Sequence, residues 1–381
     1  MKNQDIILKN GRLVTENGIV DNSYVVAKDG KIIEIGTYYS KDDGVDLQGN
    51  FILPGFIDQH THGGYGCDFS SKEEVMNFSE NLIKEGVTSY LPTIMTLPTK
   101  RIKETVDIIY NCRNSQRGSN VLGVHLEGPF ISSKYKGAQN EDYIIPPNFE
   151  ILKDIFKGKE DFRKILTYAP EEATLEFTSL VNELGIVPSV GHSNADLETI
   201  RSHMNSGLKS ITHFQNSHSP HHHREPGITS AGFLFDIYTE LIVDGIHINK
   251  DIVKMIYKIK GRDRIILVTD SIHVKGLDDG KYCLSGQEVI KKSNEVRLSS
   301  GSLSGSILKM NDAIKNMMKF TGCSINDIMI MASKNPAELL NVNKGKVEVG
   351  FDADITILDS EFNVEMVIVG GIEKYGVYNE N

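Results

Sequence analysis

Residues 52–66 read ILPGFIDQHTHGGYG, an apolar run that stops at two histidines, His60 and His62, and then at glycines. The run has the length and texture of a buried strand. Side chains alternate along a strand, so His60 and His62 project to one face and Thr61 to the other. Two imidazoles side by side at a strand end suit a divalent metal ion. Such an ion takes three or four ligands, so the rest of the chain has to supply the others.

The same stretch separates two textures. Residues 1–53 contain short strand-like runs (DIILKNGRLV, SYVVAKDGKIIEIG, VDLQGNFIL) punctuated by Asn-Gly, Asp-Gly and Gln-Gly-Asn turns, with no helical period. The C-terminal GKVEVGFDADITILDSEFNVEMVIVGG returns to that texture, which predicts one small antiparallel β domain built from both ends, residues 1–53 and 346–381. Between them, from 54 to 345, amphipathic stretches precede apolar strands: SKEEVMNFSENLIKEG before TSYLPTIM, TKRIKETVDIIYNCRN before VLGVHLEG, TLEFTSLVNELG before IVPSVGHS, NKDIVKMIYKIKG before RIILVTDS. Recurrent units of this kind predict an α/β fold with a parallel sheet and helices outside it. Their total length suits a TIM-like (β/α)8 barrel, somewhat above the typical ~250 residues. An open doubly wound sheet is the alternative, but no GxGxxG stands at a first strand–helix turn.

Composition limits the function classes. The 381-residue chain carries 41 basic and 51 acidic residues, a formal net charge of -10, which argues against a nucleic-acid partner. No apolar stretch approaches the roughly 20 residues that cross a bilayer, and the start, MKNQDIILKNGRLVTENG, has no signal-peptide core. The four cysteines are scattered without a CxxC pair, which suits a reduced, cytoplasmic protein with no membrane partner. Cys67 reads as a small packed thiol.

In a (β/α)8 barrel chemistry gathers where strands end, so the polar residue closing each apolar run carries the information. VLGVHLEG closes on Glu127, IVPSVGHS on His192, SITHFQNS on His213, LIVDGIH on His247 and RIILVTDS on Asp270. Joined to His60 and His62, these groups make nearly a complete site for one or two borderline divalent metals, zinc or iron foremost. His125, two residues before Glu127, reads as a packed barrel histidine. Asp270, closing RIILV, reads as a catalytic carboxylate in preference to a strand-end cap, and Arg224, in HHHREPG between Pro220 and Pro226, offers a planar fork suited to phosphate.

PGFIDQHTHGGYG, GVHLEGPF, PSVGHSNAD, THFQNSHSPHHHREPG, LIVDGIH, VTDS and NPAELL resemble, in order and spacing, the N-acetylglucosamine-6-phosphate deacetylases of the amidohydrolase superfamily. The resemblance implies an amidohydrolase barrel flanked by a β-sandwich formed from both chain ends. It implies that Glu127, His192 and His213 hold the common metal, that His60 and His62 can hold a second, and that Asp270 is the catalytic carboxylate at the metal. His247 would contact the acetyl carbonyl. Ala138, Asn216 and Ser217 would line the substrate site, and Arg224 would reach the phosphate in a neighbouring subunit's site, which implies a homodimer acting on a small amino-sugar phosphate. Gln139, Gln215, Ser217, Ser271, His273 and Ser304 depart from the usual pattern; they are expected near the sugar hydroxyls, which leaves the galacto epimer as an alternative substrate. Two other readings compete. Another amidohydrolase, a cyclic-amide hydrolase or a deaminase, would share PGFID and the histidine pair, yet many cyclic-amide hydrolases bridge their metals with a lysine where Glu127 stands here, and HHREPG has no role in them. A non-catalytic barrel would be expected to lack ligands.

Overall fold

The computed structural model of the protein describes residues 6–376 apart from 116 and 285; residues 1–5 and 377–381 of the two chain-end segments lie outside the described residues. Eight parallel strands lie side by side in chain order: β1 Phe56–Thr61, β2 Val87–Ile94, β3 Gly123–Glu127, β4 Arg163–Tyr168, β5 Ile186–Val190, β6 Ser210–Ile211, β7 Tyr238–Ile242 and β8 Ile265–Val268. The ring closes between its ends, where Asp270 N–H donates to His60 O at 2.8 Å and His62 N–H to Ser271 O at 2.7 Å. A helix follows every strand, from Lys72–Leu82 after β1 to Met310–Thr321 after β8, so the expected (β/α)8 architecture is present.

The helices form where the 3.6-residue period meets a stop signal. In Lys72–Leu82 the residues Val75, Met76, Phe78 and Leu82 are buried against the barrel, while the Ser71 side chain accepts the Glu74 N–H at its start. A short 3₁₀ turn continues it to Gly86, whose φ of 81° is left-handed and open to glycine without strain. Among the described residues no helix is long and apolar enough to cross a membrane.

Strands from both chain ends share one sheet. Ile355–Leu358 runs antiparallel to Phe51–Pro54, which lies beside Ile6–Thr15, and the path continues through Gly18–Lys28 to Lys31–Thr37. The sheet curls back on itself, because Ile32 N–H donates to Phe351 O at 3.0 Å and Ala353 N–H to Gly30 O at 2.9 Å. It encloses its own core of Leu8, Val25, Ile32, Ile52, Ile355 and Ile368.

A three-stranded antiparallel sheet, Gly280–Leu284, Gln287–Lys292 and Glu295–Leu298, is inserted after β8. It accounts for part of the length beyond a minimal barrel. Its alternating pattern and its turns are visible in CLSGQEVIKKSNEVRL, but a strand-helix reading passes over them. Val289 and Val296 pack under it against Ile272 and Val274, which seats the insert over the C-terminal mouth of the barrel.

Candidate active site

The alternation of β1 puts the His60 and His62 rings on the same side, with their Nε2 atoms 3.3 Å apart. Glu127, at the end of β3, sets Oε1 3.1 Å from His192 Nε2 and 2.9 Å from His213 Nε2. Its Oε2 lies 3.5 Å from His62 Nε2, and Asp270 Oδ1 lies 3.2 Å from that nitrogen and 3.4 Å from His60 Nε2. All six residues expected to hold metal therefore meet at one point, at the ends of the barrel strands. His192, His213 and Asp270 take left-handed φ values of 48°, 31° and 48°, turns that re-aim their side chains just as the strands end. Strained backbone of this kind collects at functional sites.

The outer ring nitrogens explain what the inner ones offer. His60 Nδ1 is 2.8 Å from Glu240 Oε2, His62 Nδ1 is 3.2 Å from Thr93 O, and His192 Nδ1 is 2.9 Å from Tyr135 O. Each acceptor fixes the Nδ1 proton, which turns Nε2 toward the centre as the ring nitrogen available to a metal. His213 differs, since its Nδ1 is buried without a partner among the described residues. Two overlapping groups, His60–His62–Glu127 and Glu127–His192–His213, each bring their ligand atoms within 4.8 Å of one another.

Electrostatics point the same way. Burial opposes a charge on His60, yet Asp270 and Glu240 raise its pKa to about 10. Burial also resists ionisation of Asp270, but the imidazoles of His60 and His62 lower its pKa to about 2. Burial acts likewise on Glu127, and its histidine neighbours, His192 first, hold it well below the usual range. Three buried carboxylates thus call for positive charge, and a divalent cation that displaces a proton among the inward Nε2 atoms meets that demand.

Above this centre opens a pocket of about 310 Å³ whose walls include Ala138, Asn216, Ser217 and His247. Asp244 anchors His247: Oδ2 is 2.6 Å from Nδ1 while Oδ1 accepts the main-chain N–H groups of Ile246 and His247, so Nε2 is the ring nitrogen left for the pocket. Leu284 from the inserted sheet, with Leu303 and Ile272, supplies an apolar side. Arg224 is not brought here within one chain. It sits exposed on the loop after β6 with Nη1 2.6 Å from His223 Nε2. None of the described residues lining the pocket is a lysine or an arginine.

The structure adds one residue that sequence reading missed. Glu240, wholly buried in the middle of β7, accepts from Gln59 Nε2 at 2.7 Å as well as from His60. Its only signal was a carboxylate inside the apolar run TELIV. The departures from the resembled pattern need correcting. Gln139, Ser217 and Ser304 do line the pocket, but Gln215, Ser271 and His273 do not. Ser271 is buried in the barrel seam, donating to Gly63 O at 2.7 Å, and the His273 ring faces Tyr282 at 6.2 Å, so neither is in place to read a sugar hydroxyl. Gln139 does more than face the sugar, because its Nε2 donates to Glu127 Oε2 while its Oε1 accepts the Thr96 N–H. His125 is a packed residue, between Thr167 Oγ1 at 2.7 Å and Gln59 O at 3.2 Å, and burial together with His60 lowers its pKa to about 3. Cys67 is a buried thiol.

The sequence family described as the Amidohydrolase family matches residues 51–373. The chain is 38% identical to the N-acetylglucosamine-6-phosphate deacetylase of Bacillus subtilis (strain 168), over 97% of this chain and 96% of that one. It is 30% identical to the N-acetylgalactosamine-6-phosphate deacetylase of Escherichia coli O157:H7, over 96% and 98%. The crystal structure of N-acetylglucosamine-6-phosphate deacetylase from Thermotoga maritima superposes with a TM-score of 0.90 at 36% identity, covering 97% of this chain and 100% of that one.

Proposed function

Because the chain belongs to the N-acetylglucosamine-6-phosphate deacetylases of the amidohydrolase family, we propose that its pocket hydrolyses the N-acetyl amide of N-acetylglucosamine 6-phosphate, releasing glucosamine 6-phosphate and acetate in amino-sugar catabolism. The observation that carries this reading is the meeting of four inward imidazole Nε2 atoms with Glu127 and Asp270 on the floor of a pocket sized for a small substrate.

The donor set of imidazoles and carboxylates suits zinc or iron. Glu127, His192 and His213 would hold one ion, and His60 and His62 with Asp270 a second. A bound divalent cation lowers the pKa of water from 15.7 to about 7 and polarises the amide carbonyl. Asp270 accepts the proton that the attacking water loses and delivers it to the amine nitrogen, which must leave protonated. The carbonyl oxygen gains negative charge as water adds. With Asp244 holding Nδ1, His247 presents Nε2 to that oxygen, where a well-placed hydrogen-bond donor contributes roughly 2.7–4 kcal/mol.

Asn216 and Ser217 supply neutral polar groups to the phosphate end of the pocket. The cation that a phosphate calls for is absent from the described lining, which supports a homodimer in which the partner subunit's Arg224 enters the site. The net charge of -10 and the four free cysteines support a cytoplasmic enzyme without nucleic-acid or membrane partners.

Acetate release by metal-loaded protein tests the reading, with N-acetylglucosamine 6-phosphate, its galacto epimer and unphosphorylated N-acetylglucosamine compared. The gluco phosphate should turn over with the highest kcat/KM. Faster hydrolysis of the epimer would reassign the sugar, and no release from either phosphate would refute the deacetylase reading.

A further inference from the structure

Glu240 does not line the pocket, yet its carboxylate is completely buried. Burying a carboxylate is costly unless charge and hydrogen bonds compensate, and the contacts it makes lead to the site. Oε2 accepts from His60 Nδ1 at 2.8 Å and from the His213 main-chain N–H at 3.2 Å. Oε1 accepts from Gln59 Nε2 at 2.7 Å, and the main-chain O of Glu240 accepts the Phe214 N–H at 2.8 Å. We infer that Glu240 is a positioning residue that sets the tautomer and strength of His60 as a ligand and ties the His60–His62 subsite to the backbone of the Glu127–His192–His213 subsite. The inference rests on the two-ion reading above.

The contacts are asymmetric. On the His60 side the carboxylate meets the ligand ring itself; on the His213 side it meets the backbone, and the outer ring nitrogen of His213 has no partner among the described residues. A carboxylate behind an imidazole holds the proton on Nδ1 and makes Nε2 a better donor to a metal. His125 cannot substitute for Glu240, because its ring packs 4.6 Å from that of His60 but its two nitrogens are engaged with Thr167 and Gln59 O. Losing the Glu240 charge should therefore weaken the His60–His62 ion and leave the other ion nearly untouched. An amide at this position has one oxygen to offer, where the carboxylate serves both Gln59 and His60.

Zinc titration calorimetry on the metal-stripped full chain reads this directly, with cobalt(II) absorption spectra as a second readout. Wild-type protein should take two ions. E240Q should bind the second about 10–100-fold more weakly, the range typical for loss of a group behind a ligand, and shift the cobalt spectrum of that ion alone. H60N/H62N should lack the second ion altogether and so identifies its signal. E240D keeps the charge but draws it back by one methylene, and should weaken the same ion. Far-UV circular dichroism and thermal unfolding establish that each variant is folded. Two ions bound by E240Q with wild-type affinity, or equal weakening of both, overturns the inference alone. A single ion in wild-type protein overturns the two-ion reading and the inference with it. Failure of both E240Q and E240D to fold would make Glu240 a purely structural group, which also overturns it.

Discussion

Replacing Arg224 with alanine separates a sugar-phosphate pocket from other amidohydrolase pockets. The described lining of the pocket contains no lysine or arginine, so nothing in that lining neutralises a bound phosphate. If the partner subunit's Arg224 does so, R224A removes a charge-assisted hydrogen-bonding pair from every phosphorylated substrate. Hydrogen bonds to charged groups contribute about 1.5–3 kcal/mol, so kcat/KM for the phosphorylated sugar should fall roughly 10–150-fold. The unphosphorylated sugar has no such pair to lose and should change little. R224K should recover part of the loss, because lysine keeps the charge without the planar fork. Mixing R224A with D270N then tests geometry. In a two-fold dimer each mixed pair would hold one site with both groups intact and one lacking both, so free exchange should restore about one quarter of wild-type sites. Acetate release from both substrates, before and after subunit exchange, is the assay. Equal losses on the two sugars would refute the phosphate role. No recovery in mixed dimers that demonstrably form would refute the trans arrangement.

Three further outcomes follow from the same geometry. D270N should retain the ion at Glu127, His192 and His213 but lose about 10² or more in kcat, since proton transfer to the amine loses its carrier; metal content and acetate release measured on one sample check both halves. Chelation should abolish turnover and lower the apparent melting temperature, because an ion at 100 times its Kd stabilises the folded chain by about 2.7 kcal/mol; a melting curve unmoved by chelator and by added zinc would count against a metal-holding centre. Lys275 and Glu85 form a buried ion pair at 2.8 Å behind the Gly63–Gly64 turn, and Glu85 also accepts from Tyr65 OH at 2.7 Å. Lys275→Met leaves that buried carboxylate its hydrogen bonds from Tyr65 OH and the Met310 N–H but no cation, and should cost about 3–5 kcal/mol in urea unfolding, whereas a loss within error would show the pair to be dispensable.

Much of the fold was legible because its signals are local. Strand and helix periods repeat through the middle of the chain, helix starts carry side chains such as Ser71, Thr174 and Asp196 that accept a first-turn N–H, and β-type runs at both ends pair in one sheet. The ligands were legible for a related reason: a barrel exposes its strand ends at one mouth, so a polar residue closing an apolar run is already nearly placed. What lay beyond reading was chosen by packing between distant segments. His60 and Glu240 are 180 positions apart, and nothing in either neighbourhood announces their bond. Gln139 reaches Glu127 through a loop whose path only the folded barrel sets, and Gln215, Ser271 and His273, which stand near ligands in sequence, turn away from the pocket in space. The chain alone determined which chemistry its strand ends could perform, since residue type and alternation are properties of a segment. Tertiary structure decided which lone pairs face inward, which carboxylate stands behind which imidazole, and that one chain leaves its pocket without a described cation, because these depend on where other strands come to rest.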